Sequence, residues 1–111
     1  MATNTEISTT ELFIWACEDG DLTKAKQLYD SGNVNIRELA WVSIPPPPRI
    51  YRQFYPGALA FHLACAKGRL DVAKWLYNLE AFDIYAVGDA AYRAAYVEGH
   101  LEVVKWWEGF I

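Results

Sequence analysis

The chain has 111 residues, 53% of them hydrophobic and 15% aromatic, which suffices for the core of one small domain and excludes disorder through low hydrophobicity. A net charge of −4 argues against a general nucleic-acid grip, which needs clustered Lys and Arg. No apolar run reaches the ~18 residues of a membrane span, and the polar stretch Met1 to Thr10 lacks the apolar centre of a signal peptide, so an intracellular, cytoplasmic location is expected.

In chain order, Ser8 and Glu11 fit a capping box, and Ile7 and Leu12 are placed to form the hydrophobic staple around it. The stretch from Leu12 to Tyr29 then reads as two short helices broken by Gly20. Thr23, Lys24, Lys26 and Gln27 make the second helix polar, as suits a terminal unit with solvent on one side. A turn follows at Gly32-Asn33-Val34-Asn35, and then a segment of different character from Ile36 to Pro56. Next, a helix is expected from about Ala60 to Lys67, with Gly68 as the left-handed residue that stops it. Its partner would run from about Leu70 to Leu79, with Leu70, Ala73, Leu76 and Tyr77 as the apolar stripe. The pattern returns from Ala91 to Trp107, broken by Gly99. Asp71 and Glu102 open the second helices, where the helix dipole favours an acid.

Aligned on Gly20, Gly68 and Gly99, these are three copies of one unit, spaced by 48 and 31 residues. Self-similarity at that period signals stacked helix pairs, each unable to bury its apolar face alone. The units resemble ankyrin repeats. Phe61-His62-Leu63-Ala64-Cys65 is similar to the family's Thr-Pro-Leu-His-Leu-Ala-Ala helix. Gly99-His100-Leu101-Glu102-Val103-Val104-Lys105 is similar to its Gly-His-Leu-Glu-Val-Val segment, and Gly57 and Gly88 stand in register with the hairpin glycine. The chain departs from the pattern in lacking Thr-Pro in every copy and in its last period of 31 residues, against about 33 in the family. The Lys74-Trp75-Leu76-Tyr77 ending resembles divergent repeats of giant DNA viruses and protists, so a viral host-interaction protein is one expectation.

The resemblance implies an all-α fold apart from short hairpins: a short solenoid of three helix-turn-helix units in a single domain spanning 1–111. Unit 1 covers about 8–35, a proline-rich insertion about 36–56, unit 2 about 57–87 and unit 3 about 88–111. It further implies a structural, hydrogen-bonding role for His62, and a non-catalytic protein-binding function.

The insertion holds four consecutive prolines, Pro45 to Pro48, which fit neither helix nor central strand and predict a polyproline II rod. It carries three arginines and one glutamate, while the rest carries seven basic and thirteen acidic residues: a basic, aromatic arm on an acidic body. Two readings stay open. Trp41, Arg49, Tyr51, Arg52, Phe54 and Tyr55 serve as interface anchors, or the aromatics fold back and cover the helices.

Trp75 and Trp106 occupy equivalent positions off the apolar stripe and are expected side by side on the outer face. With Trp107 they are candidates for a secondary contact, or else pack on each other and on the stems of Lys74 and Lys105. The apolar C-terminal end is expected to expose Tyr96, Trp107 and Phe110, so a homodimer through that end is a further expectation. Cys17 and Cys65 share one position and read as buried free thiols, since stacked helices lie about 8–10 Å apart and a disulfide needs Cα atoms within about 7 Å. Together with His62 and His100 they do not make a zinc site, and no cofactor is expected. No nucleophile stands at a recognised spacing from a base, so no enzymatic activity is expected. The function read from the chain is recognition of another protein through the insertion and the adjacent helix face. The alternatives are a self-associating structural module, and a small inhibitor acting through the insertion.

Overall fold

The computed structural model describes residues 8–44, 50–79 and 84–109, with 43–44, 50–51 and 84–88 described by backbone alone. Among these residues are six helices and one two-stranded hairpin. Helix α1, Thr9–Asp19, starts on the capping box: the Glu11 N–H donates to Ser8 Oγ at 3.1 Å, and Glu11 Oε1 accepts from the Ser8 N–H at 3.4 Å. Ile7, the other half of the expected staple, lies outside the described residues. Helix α2, Leu22–Asp30, is capped by Asp21, which accepts from the Lys24 N–H at 3.1 Å. Between the helices of each pair stands a glycine with positive φ: Gly20 at 81°, Gly68 at 75° and Gly99 at 77°. That is the left-handed conformation expected at a helix stop.

Helix α3, Pro56–Ala66, begins earlier than the periodicity predicts, because Pro56 occupies its first turn, where no N–H is needed and φ is already helical. Gly57, expected in a hairpin, lies instead in that first turn, buried, with its N–H donated to the Ile36 carbonyl at 3.0 Å. Gly88 lies inside helix α5, Ile84–Val97, rather than in a turn. The second helices, α4 at Leu70–Asn78 and α6 at Leu101–Glu108, fall where expected. On α4 the buried stripe is Val72, Ala73 and Leu76; Leu70 is half-buried, and Tyr77 is exposed at its edge. Val72 and Leu76 are one turn apart and point the same way, which moves the stripe one step around the helix.

Helix α1 lies on α3 and α3 on α5, while each first helix packs on the second helix of its own pair. The core runs through all three pairs, from Phe13, Ile14 and Cys17 through Phe61, Cys65 and Leu76 to Val103 and Trp107. Val34 and Ile36, from the loop after α2, complete it.

Within the segment expected to be an insertion, β1, Ala40–Ile44, runs antiparallel to β2, Ile50–Phe54, as a hairpin with Ala40 opposite Phe54, Trp41 opposite Gln53 and Val42 opposite Arg52. Opposed residues share a face of the ribbon. One face brings Val42, 3% exposed, into the core with Phe54 packed against it, and β1 rests on α1. The other face turns Trp41 outward. Pro45 to Pro48, the expected polyproline rod, and Arg49 lie outside the described residues.

Candidate functional site

Of the anchors expected in the insertion, Trp41 is 62% exposed and Tyr55 51% exposed, and Arg52 is exposed as well. Phe54 is half-buried on the core. Tyr51 stands opposite Ser43 in the register, which places it on the Trp41 face of the ribbon. The structure thus divides the arm by face. The strand pairing itself went unread in the sequence, although Ala40-Trp41-Val42-Ser43-Ile44 and Ile50-Tyr51-Arg52-Gln53-Phe54 carry the β-branched and aromatic alternation that marks strands. Below the strands the arm is anchored twice. Arg37 donates from its guanidinium to the Leu79 carbonyl at 2.9 Å, and Gly57 bonds to Ile36 as above.

The tryptophans of the second helices do not lie side by side on the outer face. Trp75 packs back onto the preceding pair, 6.0 Å from the Phe13 ring and 5.7 Å from Tyr29, perpendicular to the latter. Trp106 repeats this against unit 2, 6.2 Å from Phe61 and 5.8 Å from Tyr77, again perpendicular. These edge-to-face contacts tie consecutive units together. Trp107, expected at the exposed end, is only 3% exposed. It occupies the position of Leu76, faces backward, and stands 5.6 Å from the Phe61 ring.

A second device recurs at each junction. The residue after the second glycine lies over the first: Arg69 covers Gly20 and donates from Nε to the Glu18 carbonyl at 3.1 Å, and the His100 ring covers Gly68. Cys17 and Cys65, buried in these junctions, are free, and burial pushes both thiols up to about 12. For Cys65 the neighbouring Trp107 side chain pulls the other way without reversing it.

The third unit has no following pair among the described residues, and its chemistry differs at the same positions. Tyr92 stands where Phe13 and Phe61 do, Tyr96 where the cysteines do, and Glu108 where Tyr29 and Tyr77 do. Tyr92 donates its hydroxyl to Glu108 Oε2 at 3.1 Å, a bond that pushes the phenol above its ordinary range. Tyr96 stacks on Tyr92 at 6.4 Å and is 64% exposed, beside Val97 at 79% and Leu101 at 61%. Among the described residues, none apart from Gly99 and its chain neighbours comes within 4 Å of where a Cβ on Gly99 would lie. Beyond Tyr96, this set escaped the sequence reading, though the substitution of Tyr and Glu for Phe, Cys and Tyr was visible in the aligned copies.

Two open recesses flank these features. One, of about 270 Å³, sets Arg69 beside Asp71 and Glu102; the other, of about 350 Å³, sets Lys67 and Arg93 beside Val97. Arg93 is already paired with Asp89 at 3.3 Å, an exposed i,i+4 pair. Neither recess brings a nucleophile to a base. Among the described residues no helix is long and apolar enough to cross a membrane.

The family model for ankyrin repeats (many copies) matches residues 61–106. No curated protein and no solved structure matches the chain.

Proposed function

Because residues 61–106 carry ankyrin repeats, a family that generally mediates protein–protein contacts, we propose that this chain is a non-catalytic recognition module and that its inserted hairpin is the reading arm. The observation that carries this is the division of the hairpin by face. Val42 and Phe54 hold one side to the core, while Trp41 is 62% exposed on the other, with Tyr51 at the same face of the register. An indole held out in water on an anchored ribbon is a pre-organised contact, so little ordering entropy is spent on binding. Tyr55, 51% exposed, extends the surface, the first helices form its floor, and Arg52, opposite Val42, stands exposed at the ribbon's other face. The helix pairs act as a short solenoid that carries the arm. The arm's excess of arginine suits an acidic or mixed protein surface.

The test is partner capture from a source-cell lysate, with the intact chain beside a Trp41→Ser, Tyr55→Ser double variant. Point changes are preferable to excising the arm, since excision would strip Val42, Phe54 and the Arg37 anchor from the body. A partner held by the intact chain and lost by the variant places recognition on the hairpin. A partner held equally by both moves it to the helices.

A further inference from the structure

Three of the large apolar side chains exposed among the described residues, Leu39, Trp41 and Tyr55, gather at the foot of the hairpin. The register sets Trp41 opposite Gln53, so these two share the face that points away from the core. Alternation carried one residue past the ladder adds Leu39 and Tyr55 to the same face. Exposure follows it: Leu39, Trp41, Gln53 and Tyr55 are exposed, whereas Ala40 and Phe54 are half-buried and Val42 is buried. Tyr55 keeps the extended backbone that the alternation requires, with φ −80° and ψ 115°.

None of these four residues is charged, on a chain of net charge −4. Arg52 stands on the other face, opposite Val42, and Arg37 is engaged at the Leu79 carbonyl. The complement of the face is therefore an uncharged segment, and the arm's positive charge bears on what flanks it. Every polar group on the face can donate: the Trp41 indole N–H, the Gln53 amide and the Tyr55 phenol, each carried on a largely apolar side chain. The occupant that matches is apolar and offers acceptors without donors. A helix has spent its carbonyls internally. A strand brings as many N–H groups as carbonyls, and it adds to the edge of a ribbon rather than lying on its face. A proline-rich segment brings carbonyls alone, since proline has no N–H and the polyproline II rod makes no internal hydrogen bonds. Spacing agrees. Trp41 and Tyr55 are diagonal neighbours across the ribbon, about 7–8 Å apart at the backbone, and the rod advances about 9 Å per turn. Both rings thus meet prolines within a single turn.

We infer that the outer face of the hairpin binds a proline-rich segment of another protein, held between Trp41 and Tyr55 with Gln53 donating to a proline carbonyl. This rests on that face being a recognition surface and names what it reads. Such a segment is stiff before it binds and loses little entropy on docking.

The test is titration of the full, isotope-labelled chain with decaproline to millimolar concentration, read on its indole and backbone N–H signals. Of the five tryptophans Trp41 alone is exposed, so its indole signal should shift and saturate while the other four stay. Trp41→Ser and Tyr55→Ser, both checked for folding by circular dichroism, should each bind at least about tenfold more weakly, the loss expected for an interface aromatic. Tyr96→Ser, at an exposed tyrosine elsewhere, should bind as the intact chain does. No shift at millimolar decaproline overturns the inference, as does a shift that Trp41→Ser and Tyr55→Ser leave unchanged. A decamer of alternating threonine and valine that binds as well as decaproline also overturns it, because an extended strand would then suffice. So does self-association that decaproline fails to displace, which would make a second copy the occupant. A lysate partner that depends on Trp41, in a chain blind to decaproline, leaves the recognition reading standing and removes only this one.

Discussion

The junctions between helix pairs and the face of the last pair are built from the same positions, yet they differ in every detail that contact with a neighbour controls. At the junctions stand Phe13, Phe61, Cys17 and Cys65, all 0% exposed, with a tryptophan of the next unit laid across. At the last face stand two stacked tyrosines and a glutamate that holds one of them by its hydroxyl. Side chains without a polar tip suit a position that another helix must cover. Amphipathic rings with polar tips suit one that must tolerate water and still offer contact area. What separates an interior surface from a presented one in this molecule is therefore residue choice at fixed geometry.

The largest effect that would sharpen this contrast is truncation of the ring common to both. Phe61→Ala should cost about 3–5 kcal/mol, the usual range for a buried aromatic, and that approaches the whole stability of a small domain at roughly 5–15 kcal/mol. Tyr92→Ala should cost about 1 kcal/mol, since Tyr92 is only half-buried. Urea denaturation of both variants reads the difference, and equal losses would break the comparison.

Glycines offer a finer version. Gly68 and Gly99 have φ of 75° and 77°, so alanine at either is strained by about 1–2 kcal/mol. Only at Gly68 would the new Cβ also meet a side chain, 2.5 Å from His100 Nδ1 and 2.8 Å from its Cγ, while Gly99 is open. Gly68→Ala should therefore lower the melting temperature more than Gly99→Ala. At the opposite end of the row the first helix is sealed by its own cap, and Ser8→Ala should cost about 1 kcal/mol.

Thiol chemistry reads the contrast within one molecule. Cys17 and Cys65 should resist alkylation at neutral pH in the native state, whereas a cysteine introduced by Tyr96→Cys should react at once. Their pH dependence has a definite sign. A thiol raised to about 12 on folding keeps its proton while the unfolded chain releases it. Its stabilising contribution is therefore complete below the ordinary thiol range of about 8.5 and is lost as pH climbs toward the folded value. Denaturation midpoints that fail to fall on that alkaline side would show the thiols to be accessible.

Much of this was legible in the chain. The Ser8–Glu11 cap, the three left-handed glycines and the second helices follow from local rules that depend on neighbours three or four residues away. The start of α3 was misplaced because Gly57 was read as a turn residue, while Pro56 beside it is the stronger signal for a helix opening. Trp75, Trp106 and Trp107 were placed outward because the stripe on one helix does not reveal the backward-facing cradle that a different unit supplies. Such long-range pairings, with Phe13 or Phe61 as the far partner, are written in no local window. The hairpin was obscured by its prolines, which drew the reading away from two short alternating runs on either side of them.

The hairpin's geometry has a practical consequence. Its feet are fixed by the Gly57–Ile36 bond and the Arg37 contact with Leu79, and its strands are in register from Ala40 and Phe54 to Ile44 and Ile50. Ile44 and Ile50 are register partners, so the two strand ends stand side by side on the fixed feet. A peptide joined to those two ends would start and finish at neighbouring points of one paired ribbon, which is the geometry a graft requires.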